Sequence, residues 1–155
     1  MLALATTVTT DPPRQDATAK AVTLLASRER TRLELTRALR SKGYSEAECE
    51  AAIARVVELG YLDDGRVAAQ RAAHLLSAGK SRSEVVRRLS AQGIEPPLAI
   101  DAVRRQAEAS GQDDEAVARA LVSARHLEGP KAARFLAGRG FDETLIRRLL
   151  GLDDD

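Results

Sequence analysis

One short pattern recurs along the chain, and it narrows what the chain can fold into more than any other feature. Its fullest form is Thr31-Arg-Leu-Glu-Leu-Thr-Arg-Ala-Leu-Arg-Ser-Lys-Gly-Tyr44. Thr31, Glu34, Arg37, Leu39 and Gly43 return 50 positions later as Ser81, Glu84, Arg87, Leu89 and Gly93. A weaker copy follows after another 47, where Arg134, Leu136, Gly140 and Phe141 stand on Arg87, Leu89, Gly93 and Ile94. A period in this range specifies a stacked array of similar supersecondary units, each leaning on its neighbours for part of its core.

The 155 residues suffice for about three such units. With two Phe, two Tyr and no Trp, the core must come from Leu, Val, Ile and Ala. That composition, rich also in Arg and Glu, favours helices over strands, so an all-α protein is expected. A single cysteine makes no internal disulfide and no zinc site by itself, which fits a reducing compartment. The start, Met1 to Ala19, lacks the basic end and long apolar stretch of a secretory signal, and no apolar run is long enough to cross a bilayer. A cytoplasmic protein is expected, with residues 1–16 as a flexible leader.

Helix signals divide the rest. The first helix is expected from Ala17 to Ser27, burying Ala21, Val22, Leu24 and Leu25. Thr31 and Glu34 have the spacing of a capping box, in which hydroxyl and carboxylate each satisfy a backbone N–H left open at a helix start. Leu35, Ala38 and Leu39 then share a face, and Gly43 ends the helix because it takes the left-handed conformation cheaply. A second box, Ser45 to Glu48, opens a third helix that buries Cys49, Ala52, Ile53 and Val56. Only Gly43-Tyr44-Ser45 joins these two helices, so they turn sharply, as in a helix-turn-helix.

The next units repeat this order. Asp63 and Asp64 precede a helix with Val67, Ala69, Ala72, Ala73 and Leu76; Ser81 to Glu84 is a third box; Pro96 and Pro97 open a helix with Ala99, Ala102 and Val103. Ser110-Gly111-Gln112 reads as a hinge. Asp113 and Asp114 then precede Val117, Ala120, Leu121 and Ala124, Gly129-Pro130 starts another helix, and Leu145, Ile146, Leu149 and Leu150 belong to the last. The expected units are 17–62, 63–110 and 111–152, with an acidic tail at 153–155. Tyr44, Ile94 and Phe141 hold matching positions as apolar plugs beside the turns.

No residue set points to catalysis. Cys49 matches Ala99 and Ile146 in the later units, which places it on a core face. His74 and His126 are too few, and too far from other ligand types, for a metal site. Asp63-Asp64 and Asp113-Asp114 suit helix capping and compensation of the helix dipole. There is no glycine-rich phosphate loop. An enzyme is therefore the least supported class, and no cofactor or metal is expected.

Cations repeat more tellingly. Arg30 pairs with Lys80, Arg32 with Arg82, and Arg37 with Arg87 and Arg134, all near the start of a unit's second helix. Residues 19–110 carry 16 Lys and Arg against 12 Asp and Glu, whereas residues 111–155 carry 7 against 9. Arg30, Arg32, Arg37, Lys80, Arg82 and Arg87 are therefore the candidate partner-binding residues, either as one face for an anionic partner or as ordinary solvated side chains.

The stretch Leu24-Leu25-Ala-Ser-Arg28-Glu-Arg30-Thr31-Arg-Leu-Glu34-Leu35, then Leu39-Arg-Ser-Lys42-Gly43-Tyr44 and Gly60-Tyr61-Leu62-Asp63-Asp64, resembles the RecX family of bacterial recombinase regulators. Gly79, Arg82, Val85, Leu89, Gly93 and Ile94 extend the match. Val67 stands where the family usually has phenylalanine, and Arg88 where it commonly has glutamate. The resemblance implies three tandem three-helix units in an elongated, curved array. It also implies binding of the RecA filament on single-stranded DNA, as a monomer by default, with restraint of filament assembly, ATP hydrolysis, strand exchange and co-protease activity. The partner groups would be RecA carboxylates or the phosphates of DNA held in the filament. The alternative from another class is a helix-turn-helix protein acting directly on duplex or single-stranded DNA, although Glu46, Glu48, Glu50, Asp101, Glu108 and Glu143 on the last helices of the units disfavour insertion into a groove.

Overall fold

The computed structural model describes residues 15–111 and 113–152. Most of the leader, the tail at 153–155 and Gln112 of the expected hinge lie outside them. The described residues form nine α-helices and no strand: α1 (Ala17–Ser27), α2 (Arg32–Ser41), α3 (Glu46–Glu58), α4 (Asp64–Ser77), α5 (Arg82–Ala91), α6 (Pro96–Ser110), α7 (Asp114–Ala124), α8 (Gly129–Gly138) and α9 (Glu143–Leu150). They make three tandem three-helix units, and helices pack principally on others of their own unit.

Local chemistry accounts for the helix ends. Thr31 and Ser45 each accept from the backbone N–H three residues on, while Glu34 and Glu48 accept from the backbone N–H of Thr31 and Ser45, so both boxes close reciprocally. The box expected at Ser81 is only half formed. Its hydroxyl accepts from Glu84 N at 3.2 Å, but the Glu84 carboxylate turns to Arg87 and Arg88. Charged donors outcompete a neutral N–H for one carboxylate, since charge-assisted hydrogen bonds are roughly twice as strong. Asp16, Asp63 and Asp113 cap α1, α4 and α7, and prolines occupy the first turns of α6 and α8, where no N–H is needed. Gln15 and Asp16, the last two residues of the expected leader, are thus part of the first unit: Asp16 caps α1, and the Tyr44 hydroxyl donates to the Gln15 carbonyl.

Three separate apolar clusters result. Leu35, Leu39, Cys49, Ala52, Ile53 and Val56 are buried with Tyr44 in the first. Val67, Val85, Leu89, Ile94, Ala99 and Val103 fill the second, and Ala118, Leu136, Phe141 and Ile146 the third. Each cluster draws on one unit alone, which corrects the expectation of cores shared between neighbours. The plugs Tyr44, Ile94 and Phe141 are all buried.

Some expected faces are rotated. Val22 is 36% exposed, because α1 buries Ala17 and Ala21 with Leu24 and Leu25 packed beside them, and Val22 sits about 100° round from Ala21. Ala68 is buried where Ala69 was expected. In α7 the buried residue is Ala118, flanked by half-buried Val117, Leu121 and Val122, while Ala120 and Ala124 face out. Alanine-rich helices carry a weak apolar contrast, so neighbouring stripes are hard to tell apart by periodicity.

Candidate partner-binding surface

With the cores separate, polar chemistry joins the units. The Thr31 hydroxyl, already accepting from Glu34 N, donates to the Gln92 carbonyl in the second unit at 2.6 Å. Asp64, the second member of its Asp pair, accepts from Arg32 N at 2.8 Å. One aspartate therefore caps its own helix and the next caps the middle helix of the preceding unit. Arg71 on α4 completes the joint: it donates to Glu34 at 2.8 Å, to the Gln92 side chain at 2.8 Å and to the Glu29 carbonyl at 3.3 Å. Arg66 pairs with Glu29 at 3.2 Å. Burial raises the Glu34 pKa, but the Arg71 hydrogen bond, the Thr31 N–H and the nearby Arg71 and Arg28 charges outweigh it and hold the carboxyl below its ordinary range.

The joint between the second and third units reuses half of this plan. Ser81 donates to the Gly140 carbonyl at 2.7 Å, and Asp114 accepts from Arg82 N at 3.1 Å. Leu121 stands where Arg71 stood, and it packs against Gly79, the counterpart of Glu29. The charged arm comes from elsewhere. Arg139, in the α8–α9 turn, donates to the Ala78 carbonyl at 2.8 Å, at the C-terminal end of α4, where a cation suits the helix dipole. It also lies over the Phe135 ring, 5.0 Å from the centroid, and Arg125 lies over the same ring at 4.8 Å.

The six candidate cations fall into different environments. Arg30 is half-buried in the α1–α2 link and donates to the Leu24 carbonyl at 3.4 Å; desolvation, then repulsion from Arg28, lowers its pKa from an ordinary guanidinium value, against a smaller opposing pull from Glu34. Arg32 is exposed and lines two grooves, one of about 410 Å³ with Thr36, Arg40, Glu46 and Glu50, the other of about 500 Å³ with Val57, Leu62, Leu98 and the Asp63-Asp64 pair. Arg37 is exposed, but five residues from Arg32 is about 140° around a helix, so these two do not share a face. Lys80 and Arg82 are half-buried at the second joint, and Arg87 is held by Glu84 at 2.6 Å. Arg32, Lys80 and Arg82 lie near the joints between units, whereas Arg37 stands apart on its helix. The joint arginines Arg66, Arg71 and Arg139 escaped the sequence reading because they do not repeat at the unit interval.

The remaining candidates behave as core and surface. Cys49 is buried, its thiol donates weakly to the Tyr44 carbonyl at 3.8 Å, and burial pushes its pKa up. His74 and His126 are exposed. No group of three or more His, Cys, Asp or Glu among the described residues could hold a metal ion. No described helix is long and apolar enough to cross a membrane.

This architecture has relatives. The regulatory protein RecX of Stenotrophomonas maltophilia is 36% identical over 152 residues, which cover 93% of this chain and 91% of its own. The chain belongs to the RecX family. The family model for the first three-helix domain of RecX matches residues 17–55, the span of α1, α2 and most of α3. The regulatory protein RecX of Streptomyces coelicolor is 32% identical over 151 residues, covering 90% of this chain and 80% of its own. A crystal structure of RecX from Lactobacillus salivarius superposes with a TM-score of 0.66 at 21% identity, covering 88% of this chain and 93% of that one. A second RecX crystal structure superposes with a TM-score of 0.69 at 18% identity, over 89% of this chain and 73% of its own. At those identities the superpositions speak to the fold, which is the tandem helical repeat described above.

Proposed function

We propose that this RecX-family chain binds the RecA nucleoprotein filament on single-stranded DNA and restrains its assembly, ATP hydrolysis, strand exchange and co-protease activity. The observation that carries this reading is the match to a protein named regulatory protein RecX along 93% of the chain, all three units included. The form of the molecule supports it. Separate cores joined by polar contacts leave long, wet surfaces and shallow grooves, suited to lying along a repeating partner rather than to enclosing a small substrate. Exposed Glu46, Glu48 and Glu50 on α3 weigh against insertion of that helix into a duplex groove.

The test is inhibition of DNA-dependent ATP hydrolysis by RecA. Reversal of Arg32 and Arg82 to glutamate is expected to weaken inhibition at least tenfold at low salt, with the difference from the unmutated chain narrowing as salt screens it, because both charges attract carboxylates or phosphates. Reversal of Arg104 and Arg105, which are engaged by Asp101 and Glu108 on α6, is expected to change it less than threefold. Equal losses would reduce the effect to diffuse charge, and inhibition unchanged by the first pair would remove the repeated arginines from the interface.

A further inference from the structure

Hydrogen bonds at the first joint close into a ring. Arg71 donates to Glu34 Oε1 at 2.8 Å, and the same oxygen accepts from Thr31 N at 2.9 Å. The Thr31 hydroxyl donates to the Gln92 carbonyl at 2.6 Å, and the Gln92 side chain accepts from Arg71 at 2.8 Å. Thr31 and Glu34 belong to the first unit, Gln92 and Arg71 to the second, so the ring crosses the joint on both sides. Arg71 on the Glu29 carbonyl and Arg66 on the Glu29 carboxylate brace it. The Arg71 and Glu34 side chains are each only 22% exposed, so water and salt weaken their pairing less than that of a surface pair. The ring also contains the capping box of α2, which ties the seating of the second unit to the first turn of that helix.

The second joint keeps the seam but not the ring. The counterparts of Thr31, Glu34, Arg71 and Gln92 are Ser81, Glu84, Leu121 and Arg139. Leu121 has no donor and packs on Gly79, an apolar contact without direction. The Glu84 stem lies against Gly140, but its carboxylate is engaged by Arg87 and Arg88 of its own helix. The Ser81 and Ser83 hydroxyls both donate to one carbonyl, that of Gly140, at 2.7 and 3.0 Å. Bonds that converge on one carbonyl resist separation but not rotation about it. Together with Asp114 on Arg82 N they mark out an axis, and the long Arg139 side chain on the Ala78 carbonyl gives way more easily than a ring. We propose that the ring locks the first and second units into one body, with Arg71 as its closing residue, and that the third unit turns on the second about the Gly140 seam. The locked pair presents Arg32 and Arg82 at a fixed separation, so little orientational freedom between them is lost on binding, whereas the third unit follows the contour of the partner.

Distances between paired spin labels in the full chain, without RecA, test this apart from the filament reading. With Cys49 replaced by alanine, labels at the exposed positions Ala51 on α3, Arg105 on α6 and Arg134 on α8 span the first joint in one pairing and the second joint in the other. Pulsed electron double resonance is expected to give a distance distribution about twofold wider across the second joint than across the first. Arg71→Leu is expected to widen the first-joint distribution about twofold and to leave the second unchanged. Arg71→Lys, which keeps one charged donor for Glu34 but loses the fork that also reaches Gln92, is expected to widen it by less. Equal widths across the two joints of the unmutated chain would overturn the proposal. So would an unchanged first-joint distribution in an Arg71→Leu protein that circular dichroism shows to be folded.

Discussion

Gly93 shows how much a single position carries. Its φ of +96° is left-handed, and a Cβ added there would lie 2.4 Å from the Leu33 Cβ of the first unit. The residue ends α5 and also lets the second unit seat on the first. Gly60 has a similar φ of +77° but open space around it. Gly60→Ala is therefore expected to cost only the left-handed strain, about 1–2 kcal/mol, and Gly93→Ala distinctly more, because Leu33 must also move. Gly93→Val, with a branched side chain, is expected to loosen the unit outright. Urea melts of the three variants would check this, and equal midpoints for both alanines would show that the close approach is not felt. Cys49 gives the opposite expectation. It is 1% exposed with its thiol pKa raised by burial, and Ala99 fills its matching site, so Cys49→Ala should keep function and lose about 1–2 kcal/mol of packing. The native thiol should also react with a maleimide only after unfolding.

At the scale of elements, the helices and their caps were legible in the chain because the signals are local: a hydroxyl and a carboxylate three residues apart, a glycine after an apolar stripe, a proline in a first turn. Cys49, Ala52, Ile53 and Val56 were read correctly as one buried face for the same reason. The joints were not legible. Asp64 with Arg32 and Arg71 with Glu34 lie 32 and 37 residues apart, and no local pattern fixes such pairings. Arg139 performs at the second joint part of what Arg71 does at the first, from a different helix, so the repeat alignment itself conceals it. The cation set was visible as a recurrence, but whether its members share a face depends on helix phase and on partners such as Glu84.

The first joint has a pH signature. Glu34 has a folded pKa below its ordinary value, so its contribution is fully present above about pH 4.3 and is lost as pH falls through the lower folded value. Arg71→Leu, which imports the residue of the matching position in the third unit, is expected to destabilise by about 1–3 kcal/mol at pH 7. The deficit relative to the unmutated chain should shrink once Glu34 protonates. Melts from pH 7 to pH 3 would show the two curves converging; a constant gap would mean that Arg71 acts through packing rather than through the carboxylate.

The whole molecule follows from a division of labour. Three small cores, each drawn from one unit, are joined by hydrogen bonds from cap residues and by the close approach of Leu33 to Gly93 and of Leu121 to Gly79. Charged side chains lie exposed along all three units. The most direct test is sedimentation of RecA filaments formed on single-stranded DNA with a non-hydrolysable nucleotide, in the presence of this chain. The chain is expected to pellet with the filaments in saturable proportion, to be released as salt rises, and to pellet far less with Arg32 and Arg82 reversed to glutamate. A chain that stays in the supernatant at low salt, while RecA and DNA pellet normally, would contradict filament binding.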